Sequence, residues 1–295
     1  MTTSYRGWAR PGPMPPGGVL VSEGESLDFL CGHWKIFQYQ RGHRYSTDDV
    51  LCAFYATSWA PRVERYCDLG SGIGSVAHMV AWRLPGARTT TIEAQELSLQ
   101  LAKKTAQYNG VDVNFLHGDL RDQALLEQAK RSGGPFDLVT GSPPYWPVGS
   151  ALPAAHAQAI PARLETRGDI ADYARAAAQI LAVGGLFVCV FQASQDARVR
   201  AALDDAGLLL LRSRQIIFKE GADGGLVLYA AARQQDVPTT FPRRGSVVLG
   251  KPVREAPLVI RRADGSTHPE YATVRLSFGF PPGDVAATEG EPDNR

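Results

Sequence analysis

Long apolar runs are missing from this chain. No stretch of about 18 apolar residues occurs, so no transmembrane helix is expected. The N-terminus also lacks the basic-then-apolar pattern of an export signal. Cysteine is scarce, with Cys31, Cys52, Cys67 and Cys189 the four in 295 residues and no CxxC spacing among them. That excludes a disulfide scaffold and predicts reduced, mostly buried thiols in a cytoplasmic protein. Net charge is almost absent, with 31 basic against 30 acidic residues. A globally basic, histone-like protein is thereby excluded, while a local basic patch is not. The six histidines form neither HExxH nor a Cys/His ligand spacing, so no metal site is expected. There is no internal repeat. At 44% hydrophobic and 21% charged residues, the composition is that of a globular protein, not of collagen, a coiled coil or a disordered chain.

Pro and Gly crowd residues 10–18, and residues 1–36 read as an irregular N-terminal extension. Residues 281–295, acidic and rich in Pro and Gly, read as a disordered tail. Residues 37–280 between them are expected to form one folded domain. Apolar or β-branched runs at Arg65–Leu69, Arg88–Glu93, Val113–His117, Phe136–Thr140 and Leu186–Phe191 predict buried strands. Leu97, Leu101, Ala102, Thr105 and Tyr108 share one helical face that stops at Asn109-Gly110. A second helix is predicted over Ile170–Leu181, closed by Gly184-Gly185. Strand–helix alternation with short connections implies an α/β fold with a mostly parallel sheet. Gln215–Phe218 and Leu226–Ala231 are candidates for its antiparallel end.

The first strand runs into Asp68-Leu69-Gly70-Ser71-Gly72-Ile73-Gly74. Glycines there allow a sharp turn and close approach to a ligand. Glu93 ends the next strand, where an acidic residue would bind a ribose diol. Asp68, Gly70, Gly72, Gly74 and Glu93 are therefore candidates for a nucleoside-cofactor site. The GxGxG spacing resembles the S-adenosylmethionine motif of class I methyltransferases. That resemblance implies a Rossmann-like fold with a seven-stranded, mostly parallel sheet, the last strand antiparallel and helices on both faces. It also assigns Asp119 and Leu120, in the HGDL segment, to the cofactor adenine. As a residue alone, Asp119 can equally be the N-cap of the following helix.

Gly141-Ser142-Pro143-Pro144-Tyr145-Trp146 ends the fourth strand. Consecutive prolines stiffen the chain and lack N–H donors. The segment resembles the [N/D/S]PP[Y/F/W] motif of amino-group methyltransferases, and the chemistry accounts for its residue types. An exocyclic amine is a poor nucleophile because its lone pair is delocalised into the ring. The Ser142 side chain, also a neighbour of the cofactor, and the Pro143 carbonyl are the candidate acceptors that would hold its N–H groups. Pro144 keeps the loop stiff, and Tyr145 would stack on the flipped base.

Flanking segments narrow the resemblance. Phe37-Gln38, the segment from Arg41 through Asp48-Asp49 to Leu51, Ala162–Glu165, Pro257–Ile260, Asp264-Gly265 and Pro269–Tyr271 are similar to segments of the bacterial valine-tRNA adenine-N6-methyltransferases. This implies a methyltransferase domain over 37–280 acting on tRNA or other structured RNA. That family usually carries Asn where this chain has Ser142, and serine there is familiar from DNA cytosine-N4 methyltransferases. Adenine N6, cytosine N4 and protein glutamine thus all stand as target amines, and a catalytically silent S-adenosylmethionine- or RNA-binding protein is the rival of another class. No membrane or metal partner is expected; oligomeric state is open and compatible with a monomer. From Arg212 to Arg262 ten Lys or Arg outnumber four Asp or Glu, an expected phosphate-contacting surface. Residues 147–168 are either a lid beside the target pocket or a surface excursion.

Overall fold

The computed structural model describes residues 8–59, 62–147, 149, 158, 164–237 and 251–284. A hairpin comes first, β1 (Glu25–Cys31) and β2 (Trp34–Tyr39), followed by α1 (Thr47–Trp59). Then alternate β3 (Arg65–Leu69), α2 (Ser75–Arg83), β4 (Arg88–Glu93), α3 (Glu96–Asn109), β5 (Val113–His117), α4 (Gln123–Ser132), β6 (Phe136–Gly141), α5 (Ile170–Ile180), β7 (Leu181–Gln192) and α6 (Asp196–Asp205). The chain continues through β8 (Leu208–Lys219), β9 (Leu226–Arg233), β10 (Val253–Arg261) and α7 (Pro269–Ser277).

The main sheet has the order β10-β8-β9-β7-β6-β3-β4-β5. Among the described strands of this sheet only β9 runs antiparallel to its neighbours. The Rossmann-like α/β fold with a mostly parallel sheet is as expected, but among the described residues the sheet has eight strands, not seven. The last strand, β10, lies parallel to β8, so the antiparallel strand is not the last in sequence. Nothing local in Val253–Arg261 announces this. Its residues are largely exposed apart from Leu258 and Ile260, and the strand forms because β8 offers it a free edge.

Both sheet faces are covered, and period-two side-chain alternation sorts the core accordingly. In β7, Leu186, Val188 and Val190 face the layer of α1 and α2. Phe187, Cys189 and Phe191 face the layer of α4, α5 and α6. Helix ends follow local chemistry: Gly110 adopts a left-handed cap after α3, and Asp169 with Asp172 makes a capping box before α5. The expected stop of α5 at Gly184-Gly185 is corrected. The helix ends at Ile180, and the two glycines sit inside β7, where its register against β6 shifts between Phe136 and Leu138.

The irregular extension expected over 1–36 is corrected as well. Residues 25–39 are a paired hairpin clamped onto α3, with the Lys35 and Phe37 N–H groups donating to Asn109 Oδ1 (2.9 Å) and Thr105 Oγ1 (3.0 Å). The partners lie about 70 residues away in sequence, so nothing local in the short run announces a strand. The expected 281–295 tail, apart from residues 281–284, and most of 147–168 lie outside the described residues. All four cysteines are buried and free. Among the described residues no helix is long and apolar enough to cross a membrane.

Candidate functional site

A cavity of about 310 Å³ opens at the carboxyl ends of β3, β4, β5 and β6. β3 lies between β4 and β6, where the strand order reverses, the place in an open parallel sheet where ligands bind. Gly70, Ser71, Gly72, Glu93, Leu120 and Ser142–Tyr145 all line it, joined by Asp48, Asp49, Trp146, Arg167 and Tyr173.

The glycine loop is held from both sides. Ser71 N–H donates to the Ile92 carbonyl (3.1 Å), and Gly72 N–H donates to Glu93 Oε2 (2.7 Å). Gly70 and Gly72 have φ of 59° and 56°, a backbone that side chains resist. At Gly70 space forbids a side chain too, because a Cβ would sit 1.9 Å from the Tyr173 hydroxyl. At Gly72 a Cβ would meet nothing within 4 Å, so the backbone there faces open space. Gly74 does not line the cavity; it precedes α2 and its carbonyl meets His78 Nδ1 at 2.7 Å.

Glu93 is 5% exposed. Its other oxygen, Oε1, accepts from Gln95 N–H at 2.6 Å. Burial raises its pKa, opposed by these backbone hydrogen bonds and by Arg167. Each oxygen retains acceptor capacity for a ligand hydroxyl. Asp68 lies beneath the loop instead of in the cavity wall. It accepts from Thr140 Oγ1 at 2.6 Å, ties β3 to β6, and burial pushes its pKa up to about 7. Asp119 is likewise outside the lining. Its carboxylate turns onto Arg121 (2.6 and 2.9 Å), while the neighbouring Gly118 and Leu120 face the cavity. Nor is Asp119 the N-cap of α4; Asp122 is, accepting from Ala124 N–H.

Ser142, Pro143, Pro144 and Tyr145 leave the end of β6 along the cavity wall. Several contacts, a side-chain hydrogen bond with Ser142 among them, fix Tyr145. Its hydroxyl donates to Asp48 Oδ2 (2.9 Å), its ring meets Phe191 edge-on at 5.4 Å, and its carbonyl accepts from Gln195 Nε2 (2.8 Å). Burial and the Asp48 carboxylate hold its pKa well above the ordinary phenol value. Trp146 lines the same cavity with 42% of its surface exposed, beside a single bridge to Leu164.

Asp49, one residue past the Tyr145 anchor, is buried. It accepts from Ser46 N–H (2.8 Å) and Ser75 Oγ (3.0 Å), and burial beside Asp48 pushes its pKa up to about 8. Tyr173 carries no signal of a site as a single residue, and Asp49 carries one only as part of the Arg41–Leu51 segment and its resemblance. Asp49 reads as an ordinary helix-start acid and Tyr173 as a core aromatic of α5; packing brings both to the cavity. The basic surface expected from Arg212 to Arg262 is partly neutralised. Arg212 pairs with Glu255, Arg214 with Glu270 and Arg233 with Asp236, while Arg243 and Arg244 lie outside the described residues. Among the described residues no His, Cys, Asp or Glu cluster is placed to hold a metal.

The model of the methyltransferase small domain family matches residues 51–206. The chain is 25% identical over 258 residues to the tRNA1(Val) (adenine(37)-N6)-methyltransferase of Tolumonas auensis, covering 86% of this chain and 97% of that protein. It is 32% identical over 216 residues to the release factor glutamine methyltransferase of Bordetella pertussis, covering 65% of this chain and 74% of that one. The chain spans only 27% and 29% of the length of the release factor glutamine methyltransferases of Chlorobaculum tepidum and Deinococcus radiodurans. A crystal structure of a predicted O-methyltransferase from Agrobacterium tumefaciens superposes with a TM-score of 0.55 at 21% identity, over 79% of this chain and 98% of that one, which supports the fold.

Proposed function

Because this chain belongs to the methyltransferase small domain family, whose methyl donor is S-adenosylmethionine, we propose that it methylates an exocyclic amine, adenine N6 in tRNA or another structured RNA. One observation carries this reading. Ser142-Pro143-Pro144-Tyr145 leaves β6 into the same cavity that holds Gly72 and Glu93.

The cradle fits the donor. Glu93 would bind the ribose hydroxyls, and the Gly72 backbone faces open space. Ser71 lines the cavity wall, and its buried Oγ has no hydrogen-bond partner among the described residues. Bound there, the sulfonium supplies an electrophilic methyl group.

The protein's own part is to aim the amine. Ser142 Oγ and the Pro143 carbonyl accept its N–H groups, which keeps the nitrogen lone pair directed at the methyl carbon. The nitrogen–carbon bond would form as the sulfur–carbon bond breaks and the neutral thioether leaves, and the surplus proton would pass from nitrogen to solvent afterwards, so no strong base is needed first. Tyr145 and Trp146 provide flat surfaces for the ring. The Asp48–Tyr145 hydrogen bond keeps the tyrosine from turning away.

The match along nearly the whole Tolumonas enzyme favours RNA. A glutamine side-chain amide is the second reading, favoured by the Bordetella relative, since the same acceptors would hold it. The test is mass spectrometry of nucleosides from RNA incubated with the protein and labelled donor, run beside purified release factor. N6-methyladenosine is the expected product; label on protein glutamine alone would overturn the RNA reading.

A further inference from the structure

A groove of about 530 Å³ lies behind the chain segment that carries Asp48. Tyr45, Ser46 and Thr47 line it, and the next two residues, Asp48 and Asp49, line the methyl-transfer cavity. The two hollows therefore share one short wall, the entry into α1.

Among the described residues three arginines reach the groove, Arg10, Arg44 and Arg275, against one carboxylate, Asp28. Arg44 is committed to Asp28 at 2.8 Å. Arg10 and Arg275 are not paired with an acid among the described residues. Arg10 donates to the Gly32 carbonyl (2.9 Å) and Arg275 to the Pro281 carbonyl (2.8 Å). A guanidinium has five N–H donors, so most of each remains available. Both lie against aromatic rings. Arg10 stands 3.7 Å from the centroid of Phe29, which is 45% exposed, and Arg275 stands 5.9 Å from that of Phe280.

Planar guanidinium forks match phosphate oxygens, and the rings beneath them hold the guanidinium planes in place. A polynucleotide carries its anionic linkages adjacent to the ring that bears the amine. It can therefore put a base into the cavity on one side of residues 45–49 and phosphates into the groove on the other. We propose that this groove holds the phosphate backbone of the RNA strand flanking the target nucleotide. The inference rests on the RNA-amine reading above. It places the contact on the N-terminal segment and α7, not on β8, whose Arg212 and Arg214 are paired.

The test uses the full chain with Arg10→Gln and Arg275→Gln together. Glutamine keeps a donor for each backbone carbonyl, and thermal melting checks that the fold is retained. Binding of bulk tRNA and of poly(A) is measured against salt. Each lost phosphate contact should reduce the slope of log affinity against log salt by about 0.7–0.9, so the pair should reduce it by about 1.4–1.8. RNA affinity should fall about tenfold at low salt, with KM for RNA rising, kcat at saturation kept and donor affinity unchanged. If the wild-type chain methylates an RNA amine but affinity and slope ignore the double change, the groove is overturned and the amine reading stands. If the wild-type chain neither binds nor methylates RNA, both fall. If the double change instead weakens only capture of release factor protein, the groove as an RNA site is overturned.

Discussion

The Tyr145 hydroxyl donates a 2.9 Å hydrogen bond to Asp48, 97 residues earlier in the chain. This one contact joins the loop after β6 to the first turn of α1. It sets the face of the ring that a substrate would meet, since the same ring is braced edge-on by Phe191.

Tyr145→Phe keeps the ring and deletes the anchor. Losing a hydrogen bond to a charged acceptor costs about 1.5–3 kcal/mol at most, less where water replaces it, so kcat should fall by up to about a hundredfold. Tyr145→Ala also removes a stacking surface worth about 1–3 kcal/mol and should raise KM for the nucleic acid. Steady-state kinetics with both variants separates the two effects. Equal kinetics for Phe and Ala would remove the ring from substrate binding.

Glu93→Ala should weaken S-adenosylmethionine binding by about tenfold or more. Each charge-assisted hydrogen bond to a ribose hydroxyl contributes about 1.5–3 kcal/mol, and about 1.4 kcal/mol is tenfold. The change also frees the N–H groups of Gly72 and Gln95, so the loop itself loosens. Calorimetry that shows unchanged donor affinity would take Glu93 out of the site.

The parts legible in the sequence are those fixed by neighbours in the chain. Gly70, Gly72, Glu93 and Ser142–Tyr145 each sit where a buried strand ends, and parallel strands deliver their carboxyl ends to one edge. The α3 stop at Gly110 is equally local. What was not legible depends on distant partners. Residues 25–31 become a strand only against β2, with α3 behind the hairpin, and β10 only against β8. Asp119 resembles a cofactor ligand by position but pairs with Arg121 two residues on. The arginines of β8 look like a basic surface until Glu255 and Glu270 fold against them.

Asp49 should make both stability and donor binding depend on pH. Its folded pKa of about 8 lies above the ordinary value of 3.8, so between the two the folded chain keeps a proton that the unfolded chain releases. The stability contribution is therefore complete at low pH and is lost as pH rises from about 4 through about 8. Asp68, raised to about 7, acts in the same direction. Asp49→Asn should flatten the melting temperature against pH across that range. A positively charged sulfonium favours the ionised carboxylate, so affinity for S-adenosylmethionine should increase with pH through the same window. S-adenosylhomocysteine, without that charge, should show a weaker dependence. Parallel pH curves for the two ligands would exclude Asp49 as the group that senses the donor's charge.

Ser142 offers the sharpest separation of target amines. Ser142→Ala removes one acceptor and leaves the Pro143 carbonyl. Losing such an orienting hydrogen bond costs about 1–3 kcal/mol, or roughly ten- to a hundredfold in turnover. Donor binding should not be abolished, because the glycine loop and Glu93 supply most of its contacts. Ser142→Asn asks a different question. An amide carbonyl reaches further than a hydroxyl and accepts without also donating from the same atom. In a cavity that takes adenine, where the purine's size sets the distance to the amine, the longer acceptor should retain activity on the same base. In a cavity shaped around serine and a smaller ring, the longer side chain should occupy the amine's own position. Nucleoside analysis of RNA treated with Ser142→Asn therefore decides between them. Retained N6-methyladenosine supports adenine, and lost activity with intact donor binding transfers the assignment to cytosine or another amine.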